Sequence, residues 1–76
     1  DIDYAYAWAD DIILMHEGKV IRQGTPFDVC SDRAALKTAS LEVPAVLRIH
    51  QRLKEKGLIP EDAVPPGSVD ELVESL

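Results

Sequence analysis

Three side chains in this sequence are soft enough to hold a transition metal: His16, Cys30 and His50. They stand 14 and 20 residues apart, which matches no compact zinc spacing, and a structural zinc takes four ligands rather than three. His16 reads as a polar residue at a strand end and His50 as a boundary residue on a helix, so no metal is expected. Carboxylates are plentiful, but the adjacent pairs Asp10-Asp11 and Glu61-Asp62 point apart on a helix or strand, as on a solvated face. A serine or cysteine nucleophile needs a base that is itself oriented by a third group, and nothing in the sequence links Cys30 or Ser31 to either histidine. There is no GxxxxGK[ST] phosphate loop. Gly24-Thr25-Pro26 opens a helix, and free amides there can hold an anion. Pro26 lacks the N–H, however, and Asp28 repels phosphate, so capping is the expected role. No residue is assigned to catalysis, to a cofactor or to a metal.

The composition narrows the partners. Fourteen acidic residues against 8 basic ones give a net charge of -6, which opposes binding to a nucleic-acid backbone or an anionic membrane surface. The aromatic residues Tyr4, Tyr6 and Trp8 lie among aspartates, not among the cations a base-stacking platform needs. Trp8 is read as a core anchor, with Tyr4 one turn earlier on its face and Tyr6 pointing elsewhere. A hydrophobic content of 46% is globular. A domain of this size buries only about 60% of its unfolded surface, so its stability is marginal without a metal, disulfide or partner. The single cysteine cannot form an internal disulfide, compatible with a reducing cytoplasm. No apolar run approaches the ~20 residues that span a bilayer.

The local patterns call for an α+β chain, a β-hairpin with about four short helices. Residues 1–10 read as a helix end with Ala5, Trp8 and Ala9 on one face. Asp11–His16 and Lys19–Gln23 read as paired strands. Glu17 tolerates a left-handed backbone poorly, so a loop slightly longer than two residues is expected, with Gly18 left-handed. Ile12–Met15 is apolar at every position, which suits a strand covered on both faces. A chain this short offers too little to cover both, so the strand is expected to come from something larger. Thr25-Pro26-Phe27-Asp28 is a helix start, with Thr25 as cap and Asp28 returning a bond in a capping box. Ser31 is expected to cap a second short helix that ends near Ala39. Pro44 opens the longest helix, running to about Lys56, with Val46, Ile49 and Leu53 as its apolar stripe. Gly57 ends it, with Leu58 packing on Leu53. After a proline-rich loop, Ser68-Val69-Asp70-Glu71 is a second capping box, and Leu72, Val73 and Leu76 form the last apolar face.

The order Trp8-Ala9-Asp10, Ile12 to Met15, Gly18-Lys19-Val20-Ile21, Gly24-Thr25-Pro26 and Val29 resembles the end of an ABC transporter ATPase domain. There, a strand after the switch-histidine loop and its helix leads into a hairpin and then a Gly-Thr-Pro helix start. Ala5-Tyr6-Ala7-Trp8-Ala9-Asp10, Cys30-Ser31-Asp32 and Leu41-Glu42-Val43-Pro44 look like the ATP-binding subunits of cobalt and related energy-coupling-factor importers. The resemblance is close over residues 1 to 44 and looser beyond.

This resemblance implies that residues 1–43 are the C-terminal end of a nucleotide-binding domain and 44–76 a helical extension. The phosphate loop, Gln loop, signature motif, Walker B carboxylates and switch histidine would all lie upstream, Asp1 matching the acidic residue after that histidine. ATP and Mg²⁺ would belong to the intact subunit, with no nucleotide contact from this chain. The implied partners are a second ATPase subunit and transmembrane subunits, and the implied location is the cytoplasmic face of the cell membrane. Val46, Ile49, Leu53, Leu72 and Leu76 are the expected interface residues of the extension. Self-association of the chain by itself is expected, through strand edges left open. The competing reading is a free-standing acidic interaction module that docks through its long helix.

Overall fold

The computed structural model describes residues 1–76, as α1 (Ile2–Trp8), β1 (Ile12–His16), β2 (Lys19–Gly24), α2 (Pro26–Cys30), α3 (Arg33–Thr38), α4 (Ala45–Glu55) and α5 (Val69–Ser75). The α+β expectation holds: β1 and β2 form a two-stranded antiparallel sheet. No helix is long and apolar enough to cross a membrane.

The turn between the strands is tighter than expected. His16 pairs with Lys19, so only Glu17 and Gly18 lie in the loop, with φ of 52° and 77°. Two left-handed residues in succession match the right-handed twist of the strands they join, and that match outweighs the steric cost at Glu17. Further along, Leu14 faces Arg22 and Met15 faces Val20, so Ile21 is an extra residue on β2. Such a bulge breaks the two-residue alternation, and the consecutive Ile21 and Arg22 are both half-buried. Arg22 uses its position to donate to Asp32 at 2.9 Å.

Caps set the helix boundaries. Thr25 Oγ1 accepts from the Asp28 N–H at 3.2 Å, and Pro26 stands in the first turn of α2, as the sequence called for. The cap of α3 is Asp32, not Ser31: its Oδ1 accepts from Ala35 N–H at 3.0 Å, while the Ser31 hydroxyl donates back to the Phe27 carbonyl at 2.6 Å. A hydroxyl committed to the previous helix is not free to start the next. Ser40 takes φ of 59° so that Leu41 N–H can reach the Leu36 carbonyl at 2.8 Å, the closure that usually falls to glycine. Gly57, φ 72°, closes α4 in the same way, with Leu58 N–H on the Leu53 carbonyl at 2.9 Å; the Leu58 side chain itself is exposed. Ser68 Oγ caps α5 through Glu71 N–H at 3.1 Å, and the Glu71 carboxylate accepts from the Gly67 N–H.

One core unites the two segments. Tyr6, Ile12, Leu14, Val29, Cys30 and Leu36 from the first half cluster with Val46, Leu47 and Leu72 from the second. The aromatic anchor is Tyr6, not Trp8. Tyr6 is 6% exposed and Trp8 74%. In a helix of seven residues the inward face is set by which positions find partners. Ile2, Ala5, Tyr6 and Ala9 do, and the Tyr6 hydroxyl donates to the Pro66 carbonyl at 2.7 Å. Trp8 stacks obliquely on Tyr4 outside, ring centroids 6.4 Å apart. A second long tie joins the same helix to the second half. Pro44 has no capping side chain, and the Asp3 carboxylate takes its place, accepting from the Ala45 N–H at 2.6 Å.

Candidate functional site

The surface least at ease in water is the outer face of the hairpin. β1 alternates, with Ile12 and Leu14 turned into the core and Ile13 and Met15 outward, 53% and 58% exposed. Val20, directly across from Met15, is 57% exposed. Three large apolar side chains thus stand together on a sheet face that no other element covers. The four consecutive apolar residues that signalled a strand with two covers are therefore half covered, by α2 and α3 from one side. The ladder is also open on both sides, since each strand has only the other as a partner.

The expected interface residues divide. Val46 and Leu72 are 5% and 3% exposed and belong to the core, and Leu53 packs against it. Ile49 and Leu76 are 47% and 72% exposed. The buried stripe of α4 is Val46, Leu47, His50 and Leu53, rotated from the expected Val46-Ile49-Leu53 line because Tyr6 and Leu72 approach from the side of 46 and 47. His50 is therefore no boundary residue: it is 5% exposed. Burial, and then the Lys54 ammonium one turn away, hold its imidazole below the ordinary 6.5.

The Gly24-Thr25-Pro26 helix start is poorly made for a phosphate. The Gly24-Thr25-Pro26 turn has no amide at Pro26, its hydroxyl is tied to Asp28 N–H, and a β-carbon at Gly24 would sit 3.4 Å from the Asp28 side chain, whose charge repels phosphate. No three side chains of the histidine, cysteine and carboxylate classes gather as a metal site. Cys30 is fully buried, and its thiol is pushed up from the ordinary 9.0 by burial and then by Asp3, the opposite of the lowering that activates a nucleophile. Tyr6 is likewise raised, by burial first, then Cys30 and Glu71. These shifts mark the core beneath α1 rather than a reacting centre.

The roles of Tyr6 and Asp3 were missed in the sequence. Tyr6 lies one turn after Ile2, so the pair marks an inward face, but the larger Trp8 draws the eye. The cap that Asp3 gives Ala45 acts across 42 residues, and no local pattern announces it.

Comparison with known proteins gives a consistent picture. No family model matches the chain. The energy-coupling factor transporter ATP-binding protein EcfA2 of Methanospirillum hungatei is 39% identical over 70 residues, covering 92% of this chain and 18% of that relative. EcfA2 of Symbiobacterium thermophilum is 36% identical over 76 residues, covering 99% of this chain and 25% of that protein. EcfA1 of Caldanaerobacter subterraneus is 37% identical over 67 residues, 87% of this chain and 23% of the relative. The chain therefore spans only about a fifth to a quarter of the length of the curated relatives it matches.

Proposed function

The chain belongs to the family of energy-coupling factor transporter ATP-binding proteins, and from that footing we propose that it is the C-terminal portion of such a subunit, giving it shape and contact surface rather than chemistry. The observation that carries this reading is the uncovered trio Ile13, Met15 and Val20. In a subunit four or five times longer, the remaining chain supplies the second cover that this face lacks. ATP and Mg²⁺ are then held by residues elsewhere in the subunit, where phosphoryl transfer to water is a matter of positioning and charge stabilisation. The subunit works at the cytoplasmic face of the cell membrane, with a second ATPase subunit and transmembrane subunits that take up cobalt or a related metal or vitamin.

The test uses the chain by itself. Light scattering at rising concentration is expected to show self-association, because an apolar sheet face with open edges recruits another copy. Ile13→Lys with Met15→Lys is expected to return it to monomer, and titration with Mg-ATP is expected to give no heat of binding. A clean monomer at high concentration that binds Mg-ATP overturns the reading. A second part of the proposal concerns the extension: Ile49 and Leu76, left exposed on α4 and after α5, contact the partner ATPase subunit. In the full-length subunit, Ile49→Ser with Leu76→Ser is expected to weaken dimerisation or uncouple hydrolysis from transport; no change in both refutes it.

A further inference from the structure

A groove of about 140 Å³ lies where α2, α3 and α4 meet the proline-rich loop. It is several water molecules in size, at about 30 Å³ of liquid volume each. Its charged and titratable lining is of one sign only: Arg33 from α3 and His50 and Lys54 from α4, with no carboxylate among the lining residues. The other elements contribute no titratable group: α2 and its C-terminal end bring Phe27 and Ser31, the linker Val43, and the loop Pro65. In a chain of net charge -6 such a lining is unusual, and neither cation is neutralised. The ion pairs of the fold are His16–Glu17, Arg22–Asp32 and Arg52–Glu55, and none involves Arg33 or Lys54.

His50 supplies the second, independent observation. It is 95% buried by its 5% exposure and makes no hydrogen bond within the chain, yet no buried ring nitrogen is sealed off without a partner. Its polar edge therefore opens into the groove it lines. His50 and Lys54 are four apart on α4, so their side chains rise from the same helix face. The Ser31 hydroxyl is already turned to the Phe27 carbonyl and offers no proton to a guest.

We propose that this groove binds a small dianionic oxyanion of the phosphate class, held by the Arg33 guanidinium and the Lys54 ammonium, with the His50 imidazole as a third donor when protonated. Charge-assisted bonds from a planar guanidinium and a point-charge ammonium suit phosphate oxygens. A bound dianion in turn favours the imidazolium form of His50.

Inorganic phosphate and glycerol 3-phosphate are titrated into the 76-residue chain, with sodium chloride at matched ionic strength as control, while the His50 ring resonances are followed by NMR. A saturable shift with phosphate and not with chloride is expected at about pH 7.5, where both phosphates are largely dianionic. Tighter binding of glycerol 3-phosphate assigns the natural ligand to phosphomonoesters, and tighter binding of inorganic phosphate to the free ion. Arg33→Gln and Lys54→Gln are each expected to weaken binding roughly tenfold, the loss of one charged hydrogen bond. Arg48→Gln, on the same helix but outside the groove, is expected to leave binding unchanged. No saturable shift with either phosphate, or equal losses in all three variants, overturns the proposal.

Discussion

Removing a single oxygen atom tests how the two halves of the chain are held together. Tyr6→Phe keeps the ring in the core and deletes only the hydroxyl that donates to the Pro66 carbonyl at 2.7 Å across 60 residues. The ring is 6% exposed, and Pro66 is buried as well, so water does not readily replace the lost donor. A net hydrogen bond contributes about 1 kcal/mol, and a buried acceptor left alone costs about 1–3 kcal/mol; the two overlap rather than add, and a loss of about 1–2 kcal/mol is expected. In a domain of this size each kcal/mol moves the melting temperature by about 4–8 °C, so a fall of roughly 5–15 °C is expected. Circular dichroism during heating reads this directly, at a concentration low enough to avoid association. Amide exchange adds location: the amides of α5, next to Pro66 in sequence, are expected to exchange faster than those of β1. A melting temperature within about 2 °C of the parent refutes the view that this bond ties the second half of the chain to the first.

Two further outcomes follow from the same structure. His50 is held below its ordinary 6.5 in the folded state, so the unfolded chain takes up its proton first; stability is full above that value and declines as the pH falls below it. Urea unfolding at stepped pH in phosphate-free buffer checks this, and His50→Gln is expected to flatten that part of the profile. Ser40 occupies a left-handed backbone, φ 59°, where glycine is at no disadvantage; Ser40→Gly is expected to be neutral or to raise stability by up to about 1 kcal/mol, and Ser40→Val to lower it by more.

The legible parts of this fold were those governed by neighbours in sequence. Thr25 before Pro26, Gly57 after a basic helix end, and Ser68 three residues before Glu71 each satisfy backbone groups within one turn, and each boundary falls where the local pattern puts it. The hairpin strands were legible for the same reason. Less local choices were not. Which face of α1 turns inward depends on the arrival of Pro66 and Leu72, so the largest aromatic residue gave the wrong anchor. The rotation of α4 that buries His50 and exposes Ile49 also depends on its neighbours. The apolar run Ile12–Met15 is a special case. Its composition anticipates a cover that these 76 residues do not contain, so the sequence reports on a larger surrounding than the structure displays. The anion groove was invisible in sequence because Arg33 and Lys54 are 21 positions apart and meet only through packing.

The bond from Ala45 N–H to the Asp3 carboxylate carries a lesson about the sequence of folding events. The first turn of α4 borrows its stop from a helix formed 42 residues earlier, so in a nascent or refolding chain it has nothing to fasten it until α1 has already docked. The two segments are therefore expected to close jointly rather than ripen apart.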